Sequence, residues 1–251
     1  MSMGNNPYIR IQTLSESQQN LVSDVIGAFE KKITAEIDPN SDICTTKFSE
    51  DFQNRLVLYH AMNAEALSKK TFEYALRGAC RFDGRRADLD ANPTHPGTDI
   101  EIDGVGFSLK TEAARSISRT TLTISKLMET RWIRECQNGA DYLEGVRKHI
   151  ITHLLKYQRI LVLRAFAINE QLYEYHLVEI PVDILRLSAG LLASDFKSRT
   201  KNGSSSADVV MDGKKAFSLS LDGSVEKVTI RSLDLRLCTL HGKWTVSATA
   251  V

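Results

Sequence analysis

DIEIDGVGFSLKTE, the stretch from Asp99 to Glu112, decides how this chain folds. Ile100 and Ile102 alternate with Asp99, Glu101 and Asp103; after Gly104, the residues Val105, Phe107 and Leu109 alternate with Gly106, Ser108 and Lys110. An Asp-Gly pair between two alternating runs is the strongest short-range hairpin signal. With Asp103 and Gly104 as the two loop residues, position 102 pairs with 105, 100 with 107 and 99 with 108. Ile100, Ile102, Val105, Phe107 and Leu109 then share one face, which a one-residue slip would scatter. The opposite face gathers Asp99, Glu101, Ser108, Lys110 and Glu112 into one patch.

Carboxylates beside a single lysine suit a hard divalent cation such as Mg²⁺, which takes carboxylate, phosphate and water oxygens. A lysine next to that ion can orient a water or stabilise charge developing on a phosphate. The outward face of any amphipathic hairpin carries acids and lysines too, so the hairpin alone is also explained by solvation.

The 251 residues can bury a sizeable core, and 42% hydrophobic with 25% charged residues is the composition of an ordinary globular protein. A net charge of +1 excludes a chain that is basic all over, though not a basic groove balanced by acids elsewhere. Cys44, Cys80, Cys136 and Cys238 are far apart with no C-x-x-C spacing, which predicts reduced thiols, a cytoplasmic setting and no zinc site. No run approaches the roughly 20 apolar residues of a membrane span, and the N-terminus lacks an apolar signal core.

Three segments are expected: a helical stretch over 1–62, a core over 63–192 and a β-rich part over 193–251 packed on the core as one domain. Residues 13–37 read as a helix, with capping boxes at Thr13/Glu16 and Ser15/Gln18 and a stripe of Leu21, Val22, Val25, Ile26, Phe29 and Ile33. A second helix is expected over 49–62, and a third over 63–80 that carries Glu73 at the border of its apolar face. Residues 81–98 read as a long basic connection. After the hairpin come a short strand around Leu122 and Ile124, a helix over 126–136 and a stronger helix over 140–157 with Leu143, Val146, Ile150, Leu154 and Leu155 inward. His149 and His153 lie four apart on it without the glutamate of an H-E-x-x-H zinc site, so no metal role is expected for them. Arg159 to Phe166 reads as a central strand, Leu172 to Ile180 as its neighbour, and Pro181 as the start of a helix to about Leu192. Residues 197–206 read as a flexible basic loop, and the tail carries turns at Asp212-Gly213 and Asp222-Gly223.

From 63 to 166 the order is helix, three strands, helix, strand. This resembles the αβββαβ core of the PD-(D/E)xK nuclease superfamily, to which most type II restriction endonucleases belong, and implies an α/β fold with a mixed sheet. Gly97-Thr98-Asp99 followed by Ser108-Leu109-Lys110 matches its motif, and Thr71-Phe72-Glu73 is similar to the helix glutamate many members bring to the metal. The block NPTHPGTDIEIDGVGFSLKTEA and the later YHLVEIP also resemble the SmaI-type restriction enzymes, which read CCCGGG. Thr98 stands where the superfamily often has proline. Ser108 stands where its second acid is expected, which leaves Glu73, Glu112, Glu101 or the more remote Glu129 to supply the missing carboxylate, Glu73 first and Glu112 second.

The resemblance implies a Mg²⁺-dependent, sequence-specific endonuclease for double-stranded DNA that works as a homodimer on a palindrome. Asp99, Glu73 and the Leu109 carbonyl would hold the ion, and Lys110 would face the attacking water and the phosphate. Arg115, Arg119, Arg131 and Arg134 follow the motif strand as candidates for DNA contacts. The alternatives are a nicking or repair nuclease of the same fold, and a nucleic-acid-binding protein that lost catalysis with the acid at 108. A glycosidase would leave Lys110 without a task.

Overall fold

The computed structural model describes residues 7–31, 33–90, 97–114 and 116–247. The hairpin forms in the expected register: Ile100 faces Phe107 and Ile102 faces Val105. Asp103 (φ 51°) and Gly104 (φ 84°) both take positive φ, as a two-residue turn matching the strand twist requires. These strands, β3 (Ile100–Ile102) and β4 (Val105–Glu112), belong to a mixed seven-stranded sheet that also holds β1 (Thr34–Ile37), β2 (Ala87–Leu89), β6 (Arg159–Asn169), β7 (Leu172–Ile180) and β11 (Thr239–Ser247), in the order β1-β11-β7-β6-β4-β3-β2. Its centre is β6 (Arg159–Asn169), parallel to β4 and antiparallel to β7 (Leu172–Ile180). A second, four-stranded sheet is built from β5 (Thr121–Glu129), β8 (Ser205–Met211), β9 (Lys214–Asp222) and β10 (Lys227–Asp234), in the order β5-β10-β9-β8.

One face of the large sheet carries Phe107, Leu109, Leu161, Leu163 and Leu177 and packs on α3 (Thr46–His60) and α4 (Lys69–Phe82). Both helices start from a side-chain cap: Thr45 accepts the Phe48 N–H at 3.1 Å, and Ser68 accepts the Thr71 N–H at 3.2 Å. The other face carries Ile160, Val162, Val178 and Ile180 against the smaller sheet and the helical segment α5 (Gly139–Gly145) and α6 (Ile151–Leu154). A π turn, Val146–Ile150, joins α5 to α6.

Several expectations need correction. The helix expected over 13–37 is shorter: α1 (Pro7–Gln12) precedes it, α2 (Glu16–Phe29), capped by the Ser15/Gln18 box, fills its first part, and its end is β1 (Thr34–Ile37). β-branched Thr34 and Ile37 favour extended backbone, and β1 pairs with β11 (Thr239–Ser247). The stripe on α2 does not reach the core, since Leu21, Ile26 and Phe29 are exposed. Within the connection over 81–98 lies an edge strand, β2 (Ala87–Leu89), paired with β3.

The helix expected over 126–136 is absent. Instead β5 (Thr121–Glu129) runs on to Glu129, and only Trp132–Arg134 makes a 3-10 turn. Ile124 and Met128 oppose Ile230 and Val228, four residues against two, so a bulge breaks the alternation after Ile124. Moreover β5 pairs with β10 (Lys227–Asp234) in the smaller sheet, not with β4. Leu155, expected inward, is exposed while Tyr142 is buried.

The stretch over 197–206 is tied down: the Thr200 N–H reaches the Ser204 carbonyl at 2.9 Å, and the Arg199 Nε–H reaches the Cys136 carbonyl at 2.8 Å. Beyond it stand β8 (Ser205–Met211) and β9 (Lys214–Asp222). β11 is enclosed between β1 and β7, so the first and last parts of the chain complete the sheet that holds the hairpin. No helix among the described residues is long and apolar enough to cross a membrane.

Trp244 on β11 is fully buried, donates its indole N–H to Ser49 Oγ at 3.0 Å and packs edge-on to Phe52 at 4.9 Å. Trp244→Ala should destabilise the whole protein by about 3–5 kcal/mol in one cooperative denaturant transition. A separate early transition confined to the C-terminal strands would contradict this linkage.

Candidate active site

Asp99 sits one residue before β3, on the same face as Ser108 and Lys110. Its backbone N–H donates to the Phe107 carbonyl at 2.8 Å. Its carboxylate is fixed from two sides. Oδ2 accepts the Leu109 backbone N–H at 2.6 Å and the Ser108 hydroxyl at 3.3 Å, and Oδ1 accepts the Lys69 ammonium at 2.7 Å. Gly97 is demanded by the approach to Asp99: its φ is +140°, and a Cβ there would meet Lys156 Cβ at 2.7 Å. The Thr98 hydroxyl pins the same turn to the Lys156 carbonyl at 3.0 Å.

Glu73 is brought to this place from α4. Its Oε1 lies 3.8 Å from the Lys69 ammonium that Asp99 also holds, and its Oε2 lies 3.5 Å from Lys70. Lys110 extends into a cleft of about 690 Å³, lined by Asp99, Ser108, Lys69, Lys126, Glu129, Lys148, His149, Thr152, His153 and Lys156 among others, with Glu73 reaching it through Lys69. Burial lowers the Lys110 ammonium to about 8, with Lys69 acting in the same direction and Asp99 against it. His153 falls to about 4 through burial, then Lys110 and Lys156, so its imidazole is neutral. Five lysines against two carboxylates line the cleft: a polyanion fits it, and a neutral substrate has no use for such charge.

Glu112 stands elsewhere. Its Oε2 takes the Nε–H of fully buried Arg164 at 2.6 Å, and its Oε1 accepts the Thr123 N–H at 2.8 Å. Arg164 also donates to the Ser118 and Thr121 carbonyls at 2.6 and 2.9 Å, so this pair fastens the segment between β4 and β5. With both oxygens engaged, Glu112 serves a buried cation and does not line the cleft. Glu101, on the hairpin's outward face, is exposed and lies against a different depression, near Arg86 and Gln158.

Asp42, Glu179 and His241 also come close enough to hold an ion, their ligand atoms lying within 4.8 Å of one another. Those atoms are already satisfied. Arg159 donates to Asp42 at 2.6 Å and to Glu179, and His241 bonds Glu179 at 3.0 Å and Ser41 at 2.8 Å. The Arg159 guanidinium holds the Asp42 carboxyl below its usual range. The group is an internal ion pair that binds the segment before α3 to β6, β7 and β11.

Comparison with known proteins shows the family of the chain. A family model described as SmaI, type II site-specific deoxyribonuclease, matches residues 9–246. The chain belongs to the SmaI family of type II restriction endonucleases. The type II restriction enzyme SmaI of Serratia marcescens is 34% identical over 92% of each chain. A solved restriction endonuclease in complex with substrate DNA is similar over 80% of this chain and 83% of its own, at 12% identity and a TM-score of 0.37. As a member of the SmaI family this protein is a sequence-specific DNA endonuclease.

Of the arginines expected to touch DNA, Arg119, Arg131 and Arg134 do not line the cleft. Arg119 pairs with Glu174 and stacks on Phe166 at 4.0 Å. Arg134 donates to the Gly223 and Ser224 carbonyls at 2.9 and 3.2 Å and meets Glu226 at 3.0 Å. Arg131 is the freest, 90% exposed and 3.8 Å from Glu226. Arg115 lies outside the described residues. The sequence reading missed Lys69, Lys126, Lys148 and Lys156, and weighed His153 only as a metal ligand. A signal was present: Lys148, Thr152 and Lys156 recur at four-residue spacing, with His149 and His153 beside them, which marks one face of a helix.

Glu112→Ala should strand the Arg164 charge and lower unfolding stability by about 3–5 kcal/mol. Thermal melting checks this, and Glu112→Ala with Arg164→Met should recover much of the loss. A Glu112→Ala protein that melts like the wild type would contradict the structural role.

Proposed function

We propose that the protein cuts both strands of DNA with Mg²⁺ held by Asp99, Glu73 and the Leu109 carbonyl, and that Lys110 is the catalytic lysine. The observation that carries this reading is that Asp99 and Glu73 already share one cation, the Lys69 ammonium, at 2.7 and 3.8 Å beside Lys110. The donor set is all oxygen, with no thiolate and no imidazole among the three, which suits a hard cation. A strand residue's N–H and C=O point to the same side, and the Leu109 N–H reaches Asp99, so its carbonyl emerges on Asp99's side. Glu73 thus replaces the acid missing at Ser108, and Ser108 steadies Asp99 with its hydroxyl.

Bound there, Mg²⁺ supplies Lewis-acid charge to the scissile phosphate and the leaving oxygen. The chain's own groups do the rest. Lys110 donates N–H to the phosphate and the attacking water in the partly desolvated cleft, where such contacts are stronger than in water. Lys126, Lys148 and Lys156 hold the phosphates on either side, which positions the duplex without reading its sequence. Arg131, exposed next to the cleft-lining Glu129 end of β5, is the first choice among the expected arginines for a base contact. A palindromic site and one such cleft per chain call for a homodimer, each protomer cutting one strand.

Lys110→Ala should slow cutting of plasmid DNA by about 10²–10⁴-fold while leaving retardation of a DNA fragment in gels intact. Glu73→Ala should cut only at raised Mg²⁺ or Mn²⁺. A Lys110→Ala enzyme cutting at the normal rate, or a Glu73→Ala enzyme with unchanged metal dependence, would contradict the assignment.

A further inference from the structure

His153 stands on α6 at the wall of the cleft, 9% exposed, with its ring edge-on to Tyr157 at 5.5 Å. Its Nε2 is fully buried and has no hydrogen-bond partner. A buried polar atom left unpaired costs about 1–3 kcal/mol, and native proteins rarely keep one without a use. The groups facing it are Lys110 from β4, Asp99 from the hairpin approach, Lys156 from the turn after its own helix, and the backbone of Leu127 from β5. The Leu127 contact favours the protonated ring, so there the ring donates N–H to a carbonyl. A neutral imidazole that donates from its other nitrogen leaves Nε2 as a bare acceptor.

A bare acceptor needs a donor. Lys110 lines the same cleft, and among the described residues no hydrogen bond or ion pair holds its ammonium. Lys69, in contrast, is fully engaged with Asp99 and Glu73. The π turn at Val146–Ile150, directly before α6, sets the rotation of the helix that carries His153, and such turns recur at functional sites.

We propose that His153 is a positioning residue for Lys110: its Nε2 accepts one ammonium N–H when substrate enters, and so aims the other two at the scissile phosphate and the attacking water. This rests on the reading of Lys110 as the catalytic lysine. No proton changes owner in the step; one hydrogen bond replaces two unsatisfied groups. A lysine with four rotatable side-chain bonds gains most from such a second anchor, because fixing it beforehand removes an entropic cost from the transition state.

The test compares His153→Gln, His153→Asn and His153→Leu. A glutamine amide oxygen reaches the position of Nε2, whereas an asparagine amide reaches only that of Nδ1. In single-turnover cutting of plasmid DNA at saturating enzyme, His153→Gln should stay close to the wild-type rate. His153→Asn and His153→Leu should fall by about 10²-fold, with unchanged gel retardation of a plasmid fragment. On a Lys110→Ala background His153→Leu should add no further loss. Rescue by Asn instead of Gln, equal rates for Gln and Asn, or a full additional loss on the Lys110→Ala background would overturn the proposal. If His153→Leu fails to fold, the Gln–Asn comparison decides alone. A Lys110→Ala enzyme of normal rate would sink the underlying reading first, and that outcome is distinct from these.

Discussion

The parity of one hairpin governs this protein. Two positive φ angles at Asp103 and Gly104 close a two-residue turn, and that turn places Phe107 opposite Ile100. Because side chains alternate with a period of two, the same register that buries Ile100, Phe107 and Leu109 puts Asp99, Ser108 and Lys110 together on the other face. The register then fixes the carboxylate itself, since the Leu109 N–H and Ser108 hydroxyl that hold Asp99 come from the partner strand. Burial of apolar residues on one face is therefore what organises the chemistry on the other.

Charge is sorted with similar economy. Lys69 sits between Asp99 and Glu73, while Lys110 is left free and partly desolvated a short distance away. Farther along the same strand face, Glu112 is committed to the buried guanidinium of Arg164, which closes that end of the patch to solvent and ions. Asp99 and Glu112, two carboxylates of one hairpin, thus have opposite fates, set by whether a buried cation pairs with them. Across β6, β7 and β11, Arg159, Asp42, Glu179 and His241 repeat the structural use of ionic groups, with every ligand atom answered inside the protein.

Much of this was legible beforehand because it rests on local rules. The hairpin, the strands over 159–166 and 172–180, and the placement of Asp99 and Lys110 on one face follow from alternation and turn chemistry alone. What was not legible depends on distant partners. β1 exists because β11 is there to receive Thr34–Ile37, and β5 continues past Ser125 because β10 pairs with it across a bulge that hides the alternation. Glu112 read as a candidate ligand because nothing in a linear reading announces that Arg164, 52 residues later, will lie buried against it. The lysines of the cleft were visible as residues on helix faces, but only the packing of α4 and α6 beside the hairpin gives them a common purpose.

The most direct measurement of the central claim is an anomalous difference map from crystals grown with Mn²⁺ and duplex DNA. The account predicts a peak bracketed by the Asp99 and Glu73 carboxylates and the Leu109 carbonyl, facing the phosphate nearest Lys110. A peak at Asp42, Glu179 and His241 instead, or an ion ligated by Glu112 with Glu73 turned away, would contradict it.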